Sequence, residues 1–246
     1  RSRGLGDVYK RQTISHELRT PLTSIRGFAD TMLFSYEKLD VEQIKKFLLI
    51  IKEQSNRLIK LIENLLSIAR MQAQNEMLVY KAVNIKTQIE QALTIVKNQY
   101  KSHNFSFSCA NDIMPVLADE NKFQQIMINL LDNAAKYSEN DSNVEIRAKN
   151  DDNNVKITIK DNGTGISKEN LNKIFEKFAR IENYLTSKTQ GSGLGLYIVK
   201  NLVKKMNGHI EAESSTCPDN HGTIFILTLP AASYTNQCSK KITGGR

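Results

Sequence analysis

Between residues 44 and 69 side chains recur in alternating steps of four and three: Ile44, Leu48, Ile51, Ser55, Leu58, Ile62, Leu65 and Ala69. That is a heptad seam held over more than three heptads, with Ser55 its one polar member. Leu18, Leu22, Ile25, Ala29 and Met32 repeat the spacing upstream. The segment between, residues 36 to 41, is short and polar, and Asp40 stands where it can cap the second helix. Two long amphipathic helices on a short loop form an antiparallel hairpin, predicted over residues 13–74. One hairpin cannot bury both seams. Two of them about a twofold axis make a four-helix bundle.

Beyond residue 77 the period changes. Residues 77–83, 105–109, 144–148, 155–160, 210–213 and 223–229 read as strands, and residues 151–154 as a hairpin loop. Residues 85–101, 121–137 and 194–207 read as helices. Helices and antiparallel strands in such runs predict a two-layer α+β sandwich over residues 77–230. Residues 167–190 are polar and weakly periodic, and a connection that long reads as a lid or binding loop. Residues 1–12 are basic and aperiodic and are set aside as a non-native or disordered leader. Residues 231–246 read as a flexible tail.

Composition narrows the class. Of the 246 residues, 40% are apolar and 24% charged, an ordinary globular balance that excludes fibrous and wholly disordered readings. No apolar run approaches the roughly 20 residues of a membrane span. Cys109, Cys217 and Cys238 are widely spaced and odd in number, which suggests neither a disulfide framework nor a zinc site. A reducing, cytoplasmic setting fits that usage. The net charge of +8 comes from scattered lysines without interleaved aromatics. It reads as a solvated basic surface rather than a nucleic-acid footprint, and it also suits a phosphorylated ligand.

Four segments carry chemistry. In Ile14-Ser15-His16-Glu17-Leu18-Arg19-Thr20-Pro21, His16 lies about 200° around the helix from Leu18 and points away from the seam. Glu17 can orient the ring or accept its proton, and Thr20 shares the His16 face. Pro21 removes the N–H that the Glu17 carbonyl would accept, which predicts a loosened helix there. Asn129, Asn133, Lys136 and Tyr137 form one polar helical face beside the apolar stripe of Ile126, Leu130 and Ala134. Amide oxygens suit Mg2+ and lysine suits phosphate. Asp161-Asn162-Gly163-Thr164-Gly165 follows a strand, with a carboxylate able to accept from an amine. It is also a good turn. Gly191-Ser192-Gly193-Leu194-Gly195 opens a helix and offers N–H groups to an anion. Leu196-Tyr197 stands where a P-loop needs Lys-Ser/Thr and a dinucleotide fingerprint needs Gly or Ala, so both are disfavoured.

In this order the segments resemble the boxes of bacterial two-component sensor histidine kinases. The match is His16 with its neighbours, residues 129–137, residues 161–165, Ile174-Phe175-Glu176-Lys177-Phe178, and residues 191–195. The resemblance spans about residues 13–230. It implies a dimerisation and histidine-phosphotransfer hairpin, then a Bergerat-type ATP-binding domain. It implies His16 as phosphoacceptor, Glu17 as general base and Thr20 at the position linked to dephosphorylation. Asn133 would ligate Mg2+, with Asn129 and Lys136 near the phosphates of ATP. Tyr137 would lie against the adenine and Asp161 would accept from its amine. Gly163, Gly165, Ile166, Phe178, Gly191, Gly193, Leu194 and Gly195 would shape the pocket, and Arg180 could meet the γ-phosphate. A homodimer, an aspartate-bearing response regulator on another chain, and an inner-membrane anchor upstream are implied as well. Two alternatives stay open: a nucleotide-binding regulatory dimer biased to phosphatase, and an ATPase of the same fold without histidine chemistry.

Overall fold

Asp40 accepts a hydrogen bond from the Gln43 N–H at 2.7 Å, and the Gln43 side chain accepts one from the Asp40 N–H at 3.0 Å. This reciprocal capping box starts helix α2, Val41–Gln72. Helix α1, Arg3–Ser35, precedes it, joined by a single 3-10 turn. The computed structural model describes residues 3–73, 77–179, 191–217 and 220–232. The chain forms two compact units that divide between Asn75 and Glu76.

The first unit is the hairpin of α1 and α2. Phe28 and Phe47 bring their rings to 5.2 Å across it. Ser55, the polar member of the seam, is satisfied because its hydroxyl donates to the Ile51 carbonyl at 2.8 Å. Residues 3–12, set aside in the sequence as a leader, are the first turns of α1. A helix already nucleated gains one hydrogen bond per added residue, so it extends without a cap. The helix also continues past Pro21, whose side chain is buried. The most buried positions of α2 are Leu61, Asn64 and Ile68, offset from the heptad seam. Leu48 and Ile62 of the seam stay 52% and 44% exposed.

The second unit layers three helices on a five-stranded sheet. The helices are α3 (Ile85–Gln99), α4 (Glu120–Lys136) and α5 (Gly195–Lys205). The strands, by residue range, are β1 (Lys81–Val83), β2 (Asn104–Cys109), β3 (Val116–Ala118), β4 (Asn143–Asp151), β5 (Asn154–Asp161), β6 (His209–Cys217) and β7 (Asn220–Pro230). The main sheet runs β2-β4-β5-β7-β6, and β1 with β3 forms a separate antiparallel ribbon. Alternation sets the buried face: Ile146 of β4, Ile157 and Ile159 of β5, and Leu227 and Leu229 of β7 are fully buried. Phe123, Ile126, Met127 and Leu130 of α4 are also fully buried.

Two features depart from the sequence reading. The sheet is mixed, because β2 lies parallel to β4. The intervening β3 and α4 make the long crossover that parallel pairing needs. The strand expected over residues 77–83 is only β1, paired over three residues with β3. Ahead of β1 the backbone is held by side chains instead: the Val79 N–H donates to Asp119, and the Tyr80 hydroxyl donates to the Lys205 carbonyl. Truncating Ile157 to Ala in the central strand should cost the second unit about 2–5 kcal/mol. Its urea midpoint should fall without a change in slope, while the hairpin's helical signal persists.

Candidate functional site

His16 is exposed on α1. Glu17 beside it is held across the hairpin, where Arg57 of α2 donates to its carboxylate at 3.3 Å. Arg57 is forty residues away in sequence, so no local spacing points to it. The Thr20 hydroxyl donates to the His16 carbonyl at 3.1 Å, one turn back. His16 and Thr20 are therefore joined through the backbone of one turn, with an oriented carboxylate between them in sequence.

In the second unit Asp161 ends β5 and is only 3% exposed. One carboxylate oxygen, Oδ1, accepts the Gly163 N–H at 2.8 Å and the Thr223 N–H of β7 at 3.1 Å. The other oxygen receives no hydrogen bond from the described residues, so it can accept from a ligand. Burial pushes the Asp161 carboxyl up to about 6, against the pull of the two backbone donors and nearby His221.

The turn after Asp161 is fixed on three sides. The Thr164 N–H donates to the carbonyl of Tyr137, the residue that closes α4. The Ile166 N–H donates to the Ser214 hydroxyl at 2.8 Å, and that hydroxyl donates to the Gly222 carbonyl. His221 Nδ1 lies 2.6 Å from the Gly163 carbonyl oxygen. Gly165 has φ 71 and backs onto the Ser215 carbonyl, leaving no room for a Cβ.

The polar face of α4 meets the glycine segment. A Cβ at Gly195 would lie 3.1 Å from the Asn129 Oδ1, and one at Gly191 would collide with the Lys136 Nζ. Lys136 also sits 5.2 Å over the Tyr137 ring. Asn129 donates its amide to the Gln125 carbonyl, which leaves its oxygen toward Gly195. The carboxamide of Asn133 is half-buried and makes no hydrogen bond among the described residues. Gly193 has φ 65, and its carbonyl accepts the Phe178 N–H at 3.0 Å. Leu194 is fully buried and starts α5 without a side-chain cap, so among the described residues no cap competes with an anion for the first N–H groups of that helix. Ile174 and Phe175 are buried near α5, with Lys200 5.5 Å over the Phe175 ring. Arg180 lies outside the described residues.

The structure thus gathers Asn129, Lys136, Tyr137, Asp161, Gly163, Gly165, Ile166, Gly191, Gly193, Leu194 and Gly195 around α4 and two glycine turns, with Phe178 against Gly193. Sequence reading missed Ser214, His221, Gly222 and Thr223. The His-Gly-Thr run before an apolar strand is the one local hint, because glycine at a strand start marks a close backbone approach. The ionised Asp161 destabilises the ligand-free fold. Its folded value is raised from 3.8 to about 6, so the contribution of Asp161 to stability is greatest below 3.8 and is lost as pH rises through about 6. Asp161→Asn keeps an oxygen for both N–H donors. It should stabilise the second unit by up to about 3 kcal/mol at pH 7. Denaturant titrations across pH should show this gain fading toward pH 4.

Residues 12–74 match the His Kinase A (phospho-acceptor) domain. Residues 118–233 match the histidine kinase-, DNA gyrase B- and HSP90-like ATPase domain. The chain is 33% identical over 219 residues to sensor protein KdpD of Clostridium acetobutylicum, covering 89% of this chain and 24% of that protein. It is 33% identical over 219 residues to sensor protein kinase WalK of Staphylococcus saprophyticus, covering 88% of this chain and 35% of that protein. It thus spans about a quarter to a third of the length of these relatives. Full-length ShkA, solved with AMPPNP, superposes with a TM-score of 0.66 at 27% identity, over 92% of this chain and 46% of that one. With a phospho-acceptor hairpin and a kinase-type ATPase domain in one polypeptide, the chain belongs to the two-component sensor histidine kinases.

Proposed function

We propose that this chain is an ATP-dependent autokinase that phosphorylates His16 and passes the phosphoryl group to an aspartate of a response regulator. The observation that carries the reading is His16 itself, a solvent-exposed imidazole inside the phospho-acceptor match, beside a carboxylate held by Arg57. An ATPase without histidine chemistry has no use for that arrangement.

The donor set fits Mg2+ in the way that ion is usually bound. Asn133 offers an unengaged amide oxygen, and no cluster of three acidic, His or Cys side chains competes among the described residues. Bound Mg2+ would neutralise phosphate charge. Asn129, Lys136 and the N–H groups opening α5 would hold the phosphates. The Tyr137 ring would pack on the adenine, and Asp161 would accept from its exocyclic amine. Gly163, Gly165, Ile166, Phe178, Gly191, Gly193, Leu194 and Gly195 would form the walls, and Arg180 would meet the γ-phosphate.

A ring nitrogen of His16 attacks the γ-phosphorus in line. The bond from that phosphorus to the bridging oxygen breaks, ADP leaves, and Glu17 accepts the proton from the other ring nitrogen. The aspartate of the receiver domain then attacks the phosphorus, the P–N bond breaks, and the His16 imidazole leaves and regains its ring proton. Thr20, bonded to the His16 backbone, stands one turn away to orient a water that hydrolyses the aspartyl phosphate of the regulator, breaking its acyl P–O bond and releasing inorganic phosphate. The open seam positions of the hairpin meet those of a second copy in a homodimer.

The test is incubation with γ-labelled ATP and Mg2+. Native chain should acquire label that is acid-labile and alkali-stable, and His16→Gln should acquire none while still binding ATP. Absence of label on both, with binding intact, would overturn the kinase reading. Sedimentation should return twice the chain mass, and Leu48→Glu with Ile62→Glu should shift it toward the single-chain mass.

A further inference from the structure

One contact at the base end of the site takes no part in the phosphoryl transfer. His221, on the β6–β7 hairpin, reaches the carbonyl of buried Gly163 at 2.6 Å. A carbonyl oxygen only accepts, so a ring proton on Nδ1 makes this a hydrogen bond. The peptide joining Gly163 to Thr164 is thereby gripped at both ends. Its oxygen is held by His221 of β7, and its N–H by the Tyr137 carbonyl at the end of α4. Glycine at 163 would otherwise let that peptide rotate. The same residue donates its own N–H to Asp161 Oδ1. Rotation at Gly163 would therefore change which way the carboxylate presents its second oxygen. The hairpin makes the grip from three successive residues: His221 bonds the Gly163 carbonyl, Gly222 backs onto the Asp161 carbonyl, and Thr223 donates to Asp161 Oδ1.

We propose that His221 is a positioning residue for base recognition. By fixing the Gly163 peptide it aims the open oxygen of Asp161 at an exocyclic amine, and so sets the preference for adenine over guanine nucleotides. This rests on the nucleotide reading of the site. His221 acts through Asp161 and the turn and needs no contact with the base. Its charge, when protonated, also favours the ionised, accepting form of Asp161.

Two substitutions of nearly equal shape separate this role from simple packing. In His221→Asn the amide nitrogen takes the place of Nδ1 and can donate to the carbonyl. In His221→Leu the same space is filled without a donor. His221 is exposed, so neither change opens a core cavity. Binding of ATP and GTP to the full chain is measured by calorimetry, with Asp161→Asn alongside. His221→Asn should bind ATP nearly as the native chain does. His221→Leu should lose roughly tenfold in ATP affinity, the worth of one hydrogen bond, with GTP binding unchanged. At saturating ATP the autophosphorylation rate of both variants should match the native rate. Equal ATP affinity in the Leu and Asn variants, with Asp161→Asn no longer binding, would overturn the role of His221 and leave the site reading intact. ATP binding undisturbed in Asp161→Asn would overturn the site reading itself.

Discussion

The second unit turns on one buried carboxylate. Asp161 joins the end of β5, the glycine turn after it and the start of β7 through two N–H groups on a single oxygen. Because one oxygen takes both structural bonds, the other stays open among the described residues. Burial keeps that arrangement costly, with the carboxyl pushed up to about 6 by desolvation. An amine donor on the open oxygen would offset the cost, so the site is most stable when filled. Strain and desolvation held in this way recur where a fold serves a ligand rather than itself.

The helices supply the rest of the site by their ends and faces. Helix α4 buries Ile126, Leu130 and Ala134 and so presents Asn129, Asn133 and Lys136 on the adjoining face. Asp119 caps its N-terminus through the Lys122 N–H and also takes the Val79 N–H. The Tyr80 hydroxyl closes on the last turn of α5 through the Lys205 carbonyl. The two residues before β1 thus tie together the start of α4 and the end of α5, the two helices that carry the groups proposed to hold the phosphates. A shift at residues 79 and 80 would be felt at both.

Periodicity made much of this visible in the sequence. The hairpin, the α4 stripe and the β4–β5 pair follow from periods of 3.5, 3.6 and two, which are local properties. Asp40 as a cap is equally local, and the structure bears it out. The glycine segments were visible because glycine marks backbone that other residues cannot adopt, and Gly165 and Gly193 do have positive φ. What escaped was pairing at long range. Nothing near Glu17 announces Arg57, and nothing near Gly163 announces His221. The parallel β2–β4 pair escaped for the same reason, and the β1–β3 ribbon escaped because three-residue strands carry almost no period.

The hairpin shows what a period can and cannot say. The heptad seam through Leu48, Ile62 and Leu65 is real, yet the most buried residues of α2 are Leu61, Asn64 and Ile68. Those two stripes lie on different faces of one helix. A helix with two stripes needs two partners, and a hairpin supplies one. Leaving Leu48 and Ile62 half-exposed along a regular seam is the pattern a second helix pair would cover by interdigitation. The proposed dimer follows from that surplus. It would also leave His16 outside the bundle, since its face points away from the seam.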